Sequence, residues 1–335
     1  MISGIVPVGR FDSPGGLHRD LATLARAYGV EEMSPATFDD RRAARTGYFA
    51  TPRDYYTSTE AQFSGVHSPE GSVHFGLAWD GRFHPEGFLE QARMVESFVS
   101  RTGAREVLEI GSGKGLNAIY LARRRPDVSF AGVDVTPLHV RIASERGAGL
   151  TNLRFVECDF HRLTLWKDQS LDVVFDVEAG CYSDTPEKLR AWFAELRRVL
   201  RPGGLFITFG WCRTNTFDGL DRRTRLAAEL VERAWVVHRF PVERAWDEAA
   251  GEAGFALGER RDLRSASMPS VLRLYRQARL FYHSLASPAK PLVQMLMRPS
   301  THNAVSALML PHTYGLRALE YRMAVLVAPG VGLRS

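Results

Sequence analysis

Residues 107–122 read VLEIGSGKGLNAIYLA. An apolar strand pattern ends at Ile110, glycines follow at 111, 113 and 115, and a helical pattern opens at Leu116. Glycines at such a turn permit positive φ and let a ligand approach the backbone. The helix start leaves N–H groups unpaired. The spacing is G-x-G-x-G, whereas a dinucleotide fingerprint needs G-x-G-x-x-G. Leu116 stands at that third glycine position, which counts against a nicotinamide oxidoreductase.

Outward from this loop, strand patterns recur at 130–135, 153–159, 171–178 and 204–211, with helical patterns between them. Alternation of this kind predicts crossover units and a parallel sheet covered on both faces. In the helix from Pro186, Asp184 or Thr185 can cap the start, and Pro202-Gly203-Gly204 ends the run. A further helix and strand occupy 241–263, and 318–329 reads as a last strand. Between them, 265–313 is helical and punctuated by five prolines, an insertion with an apolar face and an arginine face at Arg273, Arg276 and Arg279. The expected organisation is an aromatic helical cap (1–85), a core (86–264), a helical lid (265–313) and a final strand returning to the sheet (314–335).

Two acids stand at neighbouring strand tips. Asp134 follows Gly115 by nineteen residues, where a carboxylate can accept ribose hydroxyls. Asp159, at the expected end of the third strand, can accept from an adenine amino group. Lys114 and Asn117 are expected to be exposed or to cap the helix, with no assigned role.

With these residues in place, the chain resembles the class I S-adenosylmethionine-dependent methyltransferases. Their E/D-x-G-x-G-x-G motif is matched by Glu109, Gly111, Gly113 and Gly115, their second- and third-strand acids by Asp134 and Asp159, and the run before their fifth strand by Arg201 to Gly204. The resemblance implies a Rossmann-like α/β fold, a doubly wound seven-stranded sheet with an antiparallel last strand. It implies S-adenosylmethionine as cofactor, with Glu109, Gly111, Gly113, Gly115, Asp134 and Asp159 around it.

The fourth strand ends Glu178-Ala179-Gly180-Cys181-Tyr182 and the fifth ends Phe209-Gly210-Trp211. A carboxylate and large aromatics beside a sulfonium suit alkylation of an alkene. Aromatic faces stabilise the resulting carbocation, by about 0.5–2 kcal/mol each, and a carboxylate can remove a neighbouring proton. The chain is similar here to the sterol C-24 and prenyl diphosphate C-methyltransferases. Those enzymes carry a Glu after the fourth strand, matched by Glu178, and an aromatic N-terminal segment, matched by Tyr55-Tyr56 and His74-Phe75. The resemblance implies catalytic roles for Glu178, Trp211 and Tyr182, and substrate contacts at Tyr55, Tyr56, His74 and Phe75. The lid and cap would cover an apolar isoprenoid, and Mg²⁺ enters only with a diphosphate substrate.

Composition narrows the remaining classes. Apolar residues are 45% and charged residues 24%, which excludes a disordered chain. The net charge of +5 is mild for 335 residues, and no basic run or zinc spacing points to nucleic acid. No apolar run suffices for a membrane span, and no secretory leader is apparent. The three cysteines, 158, 181 and 212, are too few and too scattered for a disulfide framework. A cytoplasmic location is expected. The competing readings are an oxygen-, nitrogen- or quinone-ring methyltransferase and a non-catalytic binding protein of this fold. The insertion can alternatively pack a homo-oligomer.

Overall fold

The computed structural model describes residues 11–39, 51–62, 65, 67, 68, 71–284 and 301–330. Its centre is a seven-stranded sheet of order β3-β2-β1-β4-β5-β7-β6. The strands are β1 (Glu106–Ile110), β2 (Ser129–Asp134), β3 (Leu153–Glu157), β4 (Leu171–Val177), β5 (Leu200–Arg213), β6 (Ala256–Asp262) and β7 (Leu319–Val327). The first five pair in parallel, and β7 runs antiparallel between β5 and β6. This is the expected doubly wound sheet.

The helices that accompany it include α1 (Pro14–Tyr28), α2 (Pro52–Gln62), α3 (Glu90–Thr102), α4 (Leu116–Arg124), α5 (Pro137–Arg146), α6 (Pro186–Val199), α7 (Arg222–Ala234), α8 (Glu243–Glu252), α9 (Arg264–Ser284) and α10 (Thr301–Gly315). The period-two alternation of the strands sorts the core into two layers. Val107, Val173, Phe175, Ile207, Phe209 and Met323 face a layer built with α1, α3, α4, α7, α9 and α10. Leu108, Ile110, Val174, Phe206 and Leu326 face the layer built with α6 and α8.

Local signals place the ends. Thr185, not Asp184, is the N-cap of α6, its hydroxyl accepting from the Lys188 amide at 3.3 Å. Asp184 instead receives Lys188 Nζ at 2.7 Å and the His238 amide at 2.8 Å. The run Pro202-Gly203-Gly204 ends no strand or helix. It lies within β5, where Gly203 takes φ 75° and the pairing with β4 shifts register between Leu171 and Val173. β3 stops at Glu157, so Asp159 lies in the loop beyond it.

The expected cap and insertion both reach the sheet's carboxyl end. On α1, Leu17, Leu21, Leu24, Ala25 and Tyr28 are buried. Its Asp20 accepts His312 Nε2 at 2.8 Å from α10 and the Tyr275 hydroxyl at 2.9 Å from α9. Arg53 of α2 reaches the Val135 carbonyl and Glu157, at the tips of β2 and β3. The insertion is α9 and α10 between β6 and β7; of the apolar face expected at Leu272, Tyr275, Phe281, Leu285, Leu292, Met295 and Leu296, the last four fall in residues 285–300, outside the described residues. Of the arginine face, Arg273 donates to the His67 carbonyl at 2.8 Å. No helix among the described residues is long and apolar enough to cross a membrane.

Arg213 at the end of β5 and Glu232 of α7 form a buried two-pronged ion pair at 2.7 and 2.6 Å, and Glu232 also accepts the Phe240 amide. Removing one partner strands the other charge. Glu232→Leu is therefore expected to destabilise the fold by about 3–5 kcal/mol, measured by urea unfolding.

Candidate active site

The ends of β1, β2, β4 and β5 open into a cavity of about 700 Å³, roofed by α2, α9 and α10. Its position beyond the carboxyl ends of parallel strands is where such sheets bind ligands. Two zones differ in chemistry.

The polar zone begins at the glycine loop. Gly111 has φ 63°, and a Cβ there would stand 2.2 Å from the Ala179 Cβ, so β1 and the β4 turn meet only through glycine. Asp134 receives the Gly113 amide on Oδ2 at 2.9 Å and the Thr136 amide on Oδ1 at 2.8 Å. Burial pushes this carboxyl up, but His139 and the two amides outweigh it and hold it below its ordinary value. Asp134 is thus an anion with both oxygens anchored and further lone pairs beside the cavity. Thr136, also in the wall, has a buried hydroxyl without a hydrogen-bond partner. Asp159 lines the same zone, half-exposed, and accepts the His161 amide and ring at 2.9 and 2.8 Å.

Glu109 and Gly115 do not line the cavity. Glu109 is buried behind the loop, accepting Asn117 Nδ2 at 2.9 Å and the Ala118 amide at 3.1 Å, and burial raises its carboxyl to about 8. It fastens the start of α4. Gly115 takes φ 80° at that helix's N-cap, where a Cβ would strike Phe155. Both shape the loop from behind. Lys114 and Asn117 depart from expectation: both are buried, Asn117 against Glu109 and Lys114 in an ion pair at 2.9 Å with Glu60 of α2. That pair ties the glycine loop to the cap.

The second zone is aromatic. Trp211 of β5 packs against Phe75, Trp235, Tyr314 and Tyr321, with centroids 4.8–5.6 Å apart. Glu178 stands beside this cluster at φ 62°, a left-handed backbone uncommon for a non-glycine residue. Its Oε1 accepts the Phe75 amide at 2.8 Å. Burial raises the carboxyl to about 7, against the Phe75 amide, the Tyr321 hydroxyl and the Trp211 indole, which favour its anion. The indole N–H acts on it from nearby without reaching hydrogen-bonding geometry. Tyr182 donates to the Trp235 carbonyl at 3.1 Å, with the Tyr56 hydroxyl equally close. Tyr55 is buried and donates to Asn303 of α10 at 2.6 Å.

Of the residues expected to contact substrate, Tyr55, Tyr56 and Phe75 line the cavity with Glu178, Tyr182 and Trp211. His74 does not. It is buried behind the wall, bonded to Ser72 and to the Phe88 carbonyl, and burial lowers it to about 4, so it is neutral. His67 takes the place at the wall, equally neutral, donating to the His74 carbonyl at 2.8 Å. The sequence reading also missed Trp235, Tyr321 and Gln91. For Gln91 a signal existed: it falls on the apolar stripe of α3 with Ala92, Val95 and Val99, and a polar residue there needs a buried partner.

Comparisons with known proteins agree with this architecture. Residues 107–204 match the family model described as "Methyltransferase domain". A sterol 24-C-methyltransferase of Gibberella zeae is 32% identical over 234 residues, 67% of this chain and 58% of that protein. This chain thus spans less than two thirds of that relative's length. Geranyl diphosphate C-methyltransferase from Streptomyces coelicolor A3(2), solved with Mg²⁺, geranyl diphosphate and S-adenosyl-L-homocysteine, has a TM-score of 0.56 at 15% identity, covering 84% of this chain and 100% of that one. A cyclopropane synthase from Mycobacterium tuberculosis has a TM-score of 0.63 at 11% identity, covering 78% and 91%. The chain belongs to the class I S-adenosylmethionine-dependent methyltransferases. Within them it resembles the sterol C-24 and prenyl diphosphate C-methyltransferases.

The raised Glu178 carboxyl has a stability consequence. With a value of about 7 folded against 4.5 unfolded, the unfolded chain gives up this proton first. The ionised form therefore costs stability progressively between those values, and the cost is complete above about 7. Glu178→Gln is expected to gain about 3 kcal/mol at pH 8 relative to pH 4, read from paired unfolding curves.

Proposed function

We propose that this protein uses S-adenosylmethionine to methylate a carbon of an isoprenoid double bond, in a terpenoid, prenyl or sterol-like substrate, through a carbocation. The observation that carries the reading is a buried carboxyl set in an aromatic wall, facing the same cavity as the glycine loop.

The residues of the polar zone suit the cofactor. Asp134 offers anchored carboxylate oxygens to ribose hydroxyls, Gly111 and Gly113 leave room at the backbone, the unpartnered Thr136 hydroxyl adds a polar site, and Asp159 can take an amino group. When bound there, the cofactor supplies an electrophilic methyl group. The substrate's π electrons form the new carbon–carbon bond as the methyl–sulfur bond breaks and leaves its electron pair on sulfur, and the adjacent alkene carbon is left as a cation. Trp211, Phe75 and Tyr182 face that region with their rings, worth roughly 0.5–2 kcal/mol each to a desolvated cation. The ionised Glu178 stabilises it further, then takes a proton from a neighbouring carbon, whose C–H electrons make the new double bond. A value near 7 leaves much of Glu178 ionised at neutral pH and still basic enough to accept. Tyr55 and Tyr56, with α9 and α10, give the cavity a largely apolar wall that would limit capture of the cation by water. A divalent ion is needed only if the substrate carries a diphosphate. Sterol and geranyl diphosphate relatives support an isoprenoid as the substrate class.

The test is product mass spectrometry with methyl-deuterated S-adenosylmethionine against prenyl diphosphates, sterols, prenylated aromatics, and hydroxylated or aminated controls. Label on an isoprenoid carbon is expected. Label only on oxygen or nitrogen removes the cation mechanism. On the accepted substrate, Glu178→Gln should lower kcat by about 10²–10⁴, and wild-type kcat/KM, which reports the free enzyme, should rise with pH through about 7 as Glu178 ionises. Normal turnover by Glu178→Gln rules out its role as base.

A further inference from the structure

Gln91 is fully buried on α3, outside the cavity wall, yet it touches both groups that hold Glu178. Its Nε2 donates to the Phe75 carbonyl at 2.7 Å and to the Tyr321 hydroxyl oxygen at 3.2 Å. The Phe75 carbonyl can only accept, so the amide has one workable orientation and Nε2 must face it. Both hydrogens of Nε2 are then used. Having received one of them, the Tyr321 oxygen directs its own proton elsewhere, and the Glu178 carboxyl is a nearby acceptor that this hydroxyl influences without a hydrogen bond of ordinary geometry. The Phe75 amide, one residue plane from the carbonyl that Gln91 holds, donates to Glu178 at 2.8 Å. One side-chain amide thus holds the residue whose amide donates to Glu178 and the hydroxyl that lies nearest to complete a second such bond.

We propose that Gln91 is a positioning residue, which by holding the Phe75 carbonyl and the Tyr321 oxygen keeps two donors aimed at Glu178 and fixes that carboxyl against the aromatic wall. This deepens the reading of Glu178 as base and rests on it for its catalytic meaning. Gln91 itself touches no reacting atom. The ionisable groups around Glu178 are Asp176 and Cys181 on its own turn, Tyr321 of β7 and Tyr314 of α10. Of these, Tyr321 is the one Gln91 touches. Orientation of its proton favours the carboxylate, so losing it favours the acid.

The experiment titrates Glu178 directly, by infrared spectroscopy of protein labelled with ¹³C-glutamate, with Glu178→Gln as the blank that assigns the band. No substrate is needed, so the readout stands even if the product proves to be methylated on a heteroatom. Gln91→Met and Tyr321→Phe are each expected to move the titration to higher pH. Tyr321→Phe removes one oxygen and keeps the ring packed on Trp211. In the Tyr321→Phe background, Gln91→Met should move it much less than in the wild type, because its main route of action is gone. Gln91→Leu serves in place of Gln91→Met if the latter does not fold. A titration unmoved by either single change, or equal Gln91 shifts in both backgrounds, overturns the proposal. With an accepted substrate, kcat should fall while KM holds, and the pH profile of kcat/KM should follow the shifted titration.

Discussion

The site depends on one turn. Asp176, the penultimate residue of β4, is buried, and its Oδ2 accepts the amides of Ala179 and Gly180 at 3.1 and 2.9 Å. Those two bonds pull the chain sharply over the strand end and hold Glu178, between Asp176 and the two amides, in a left-handed backbone. Such a conformation costs of order 1–3 kcal/mol and persists where its surroundings fix it. Here the Glu178 amide donates to the Phe209 carbonyl of β5 at 2.7 Å, and its carboxyl takes the Phe75 amide. The same turn presses Ala179 against Gly111 and Gly180 against Trp192, which explains glycine at both positions. The glycine loop and Glu178 are therefore parts of one packed unit.

Around that unit the fold spends its long-range contacts on closing the carboxyl end of the sheet. Arg53 ties α2 to the tips of β2 and β3, Lys114 ties the glycine loop to Glu60, and Tyr55 ties α2 to α10. The segment after residue 71 is pinned by the Leu77 amide to Gly87 and by the Ala78 amide to Ala266 of α9. Among the described residues, the N-terminal cap, the insertion and the sheet thus share one cavity. An enclosed, largely apolar space suits a carbocation, because water would trap it and a low dielectric strengthens every charge–aromatic contact.

What could be read in advance follows distance along the chain. Sheet class, glycine loop and Asp134 were legible because each is encoded within a strand–turn–helix of some twenty-five residues. The class of Glu178 was legible from its neighbours on β4. Residues whose meaning lies in a distant partner were not. Lys114 looks like a surface lysine until Glu60 is brought beside it from 54 residues away. His74 and His67 are near in sequence, and only the path of the chain shows that His67 reaches the wall while His74 turns behind it. Tyr321 reads as one aromatic in an apolar strand, and its place beside Glu178 exists only because β7 inserts antiparallel next to β5. Asp159 was assigned to a strand tip that ends two residues sooner, since the Cys158 amide turns back to the Asp134 carbonyl.

The acids at this end of the sheet are not equivalent, and their differences bear on how a cationic cofactor and a base can share a cavity. Burial holds Glu109 near 8 and Asp176 near 6, both behind the wall. Asp134, with two amides and His139, stays an anion. Glu178, near 7, is the one in the wall poised to change state at neutral pH. A positive charge brought into the cavity favours the ionised form of any carboxyl nearby. Under the proposed function, binding the sulfonium therefore drives Glu178 toward the base form that the reaction needs, and an ionised Glu178 strengthens cofactor binding by the same free energy. The strained turn that joins Glu178 to the glycine loop keeps the two charges near enough for that linkage to operate.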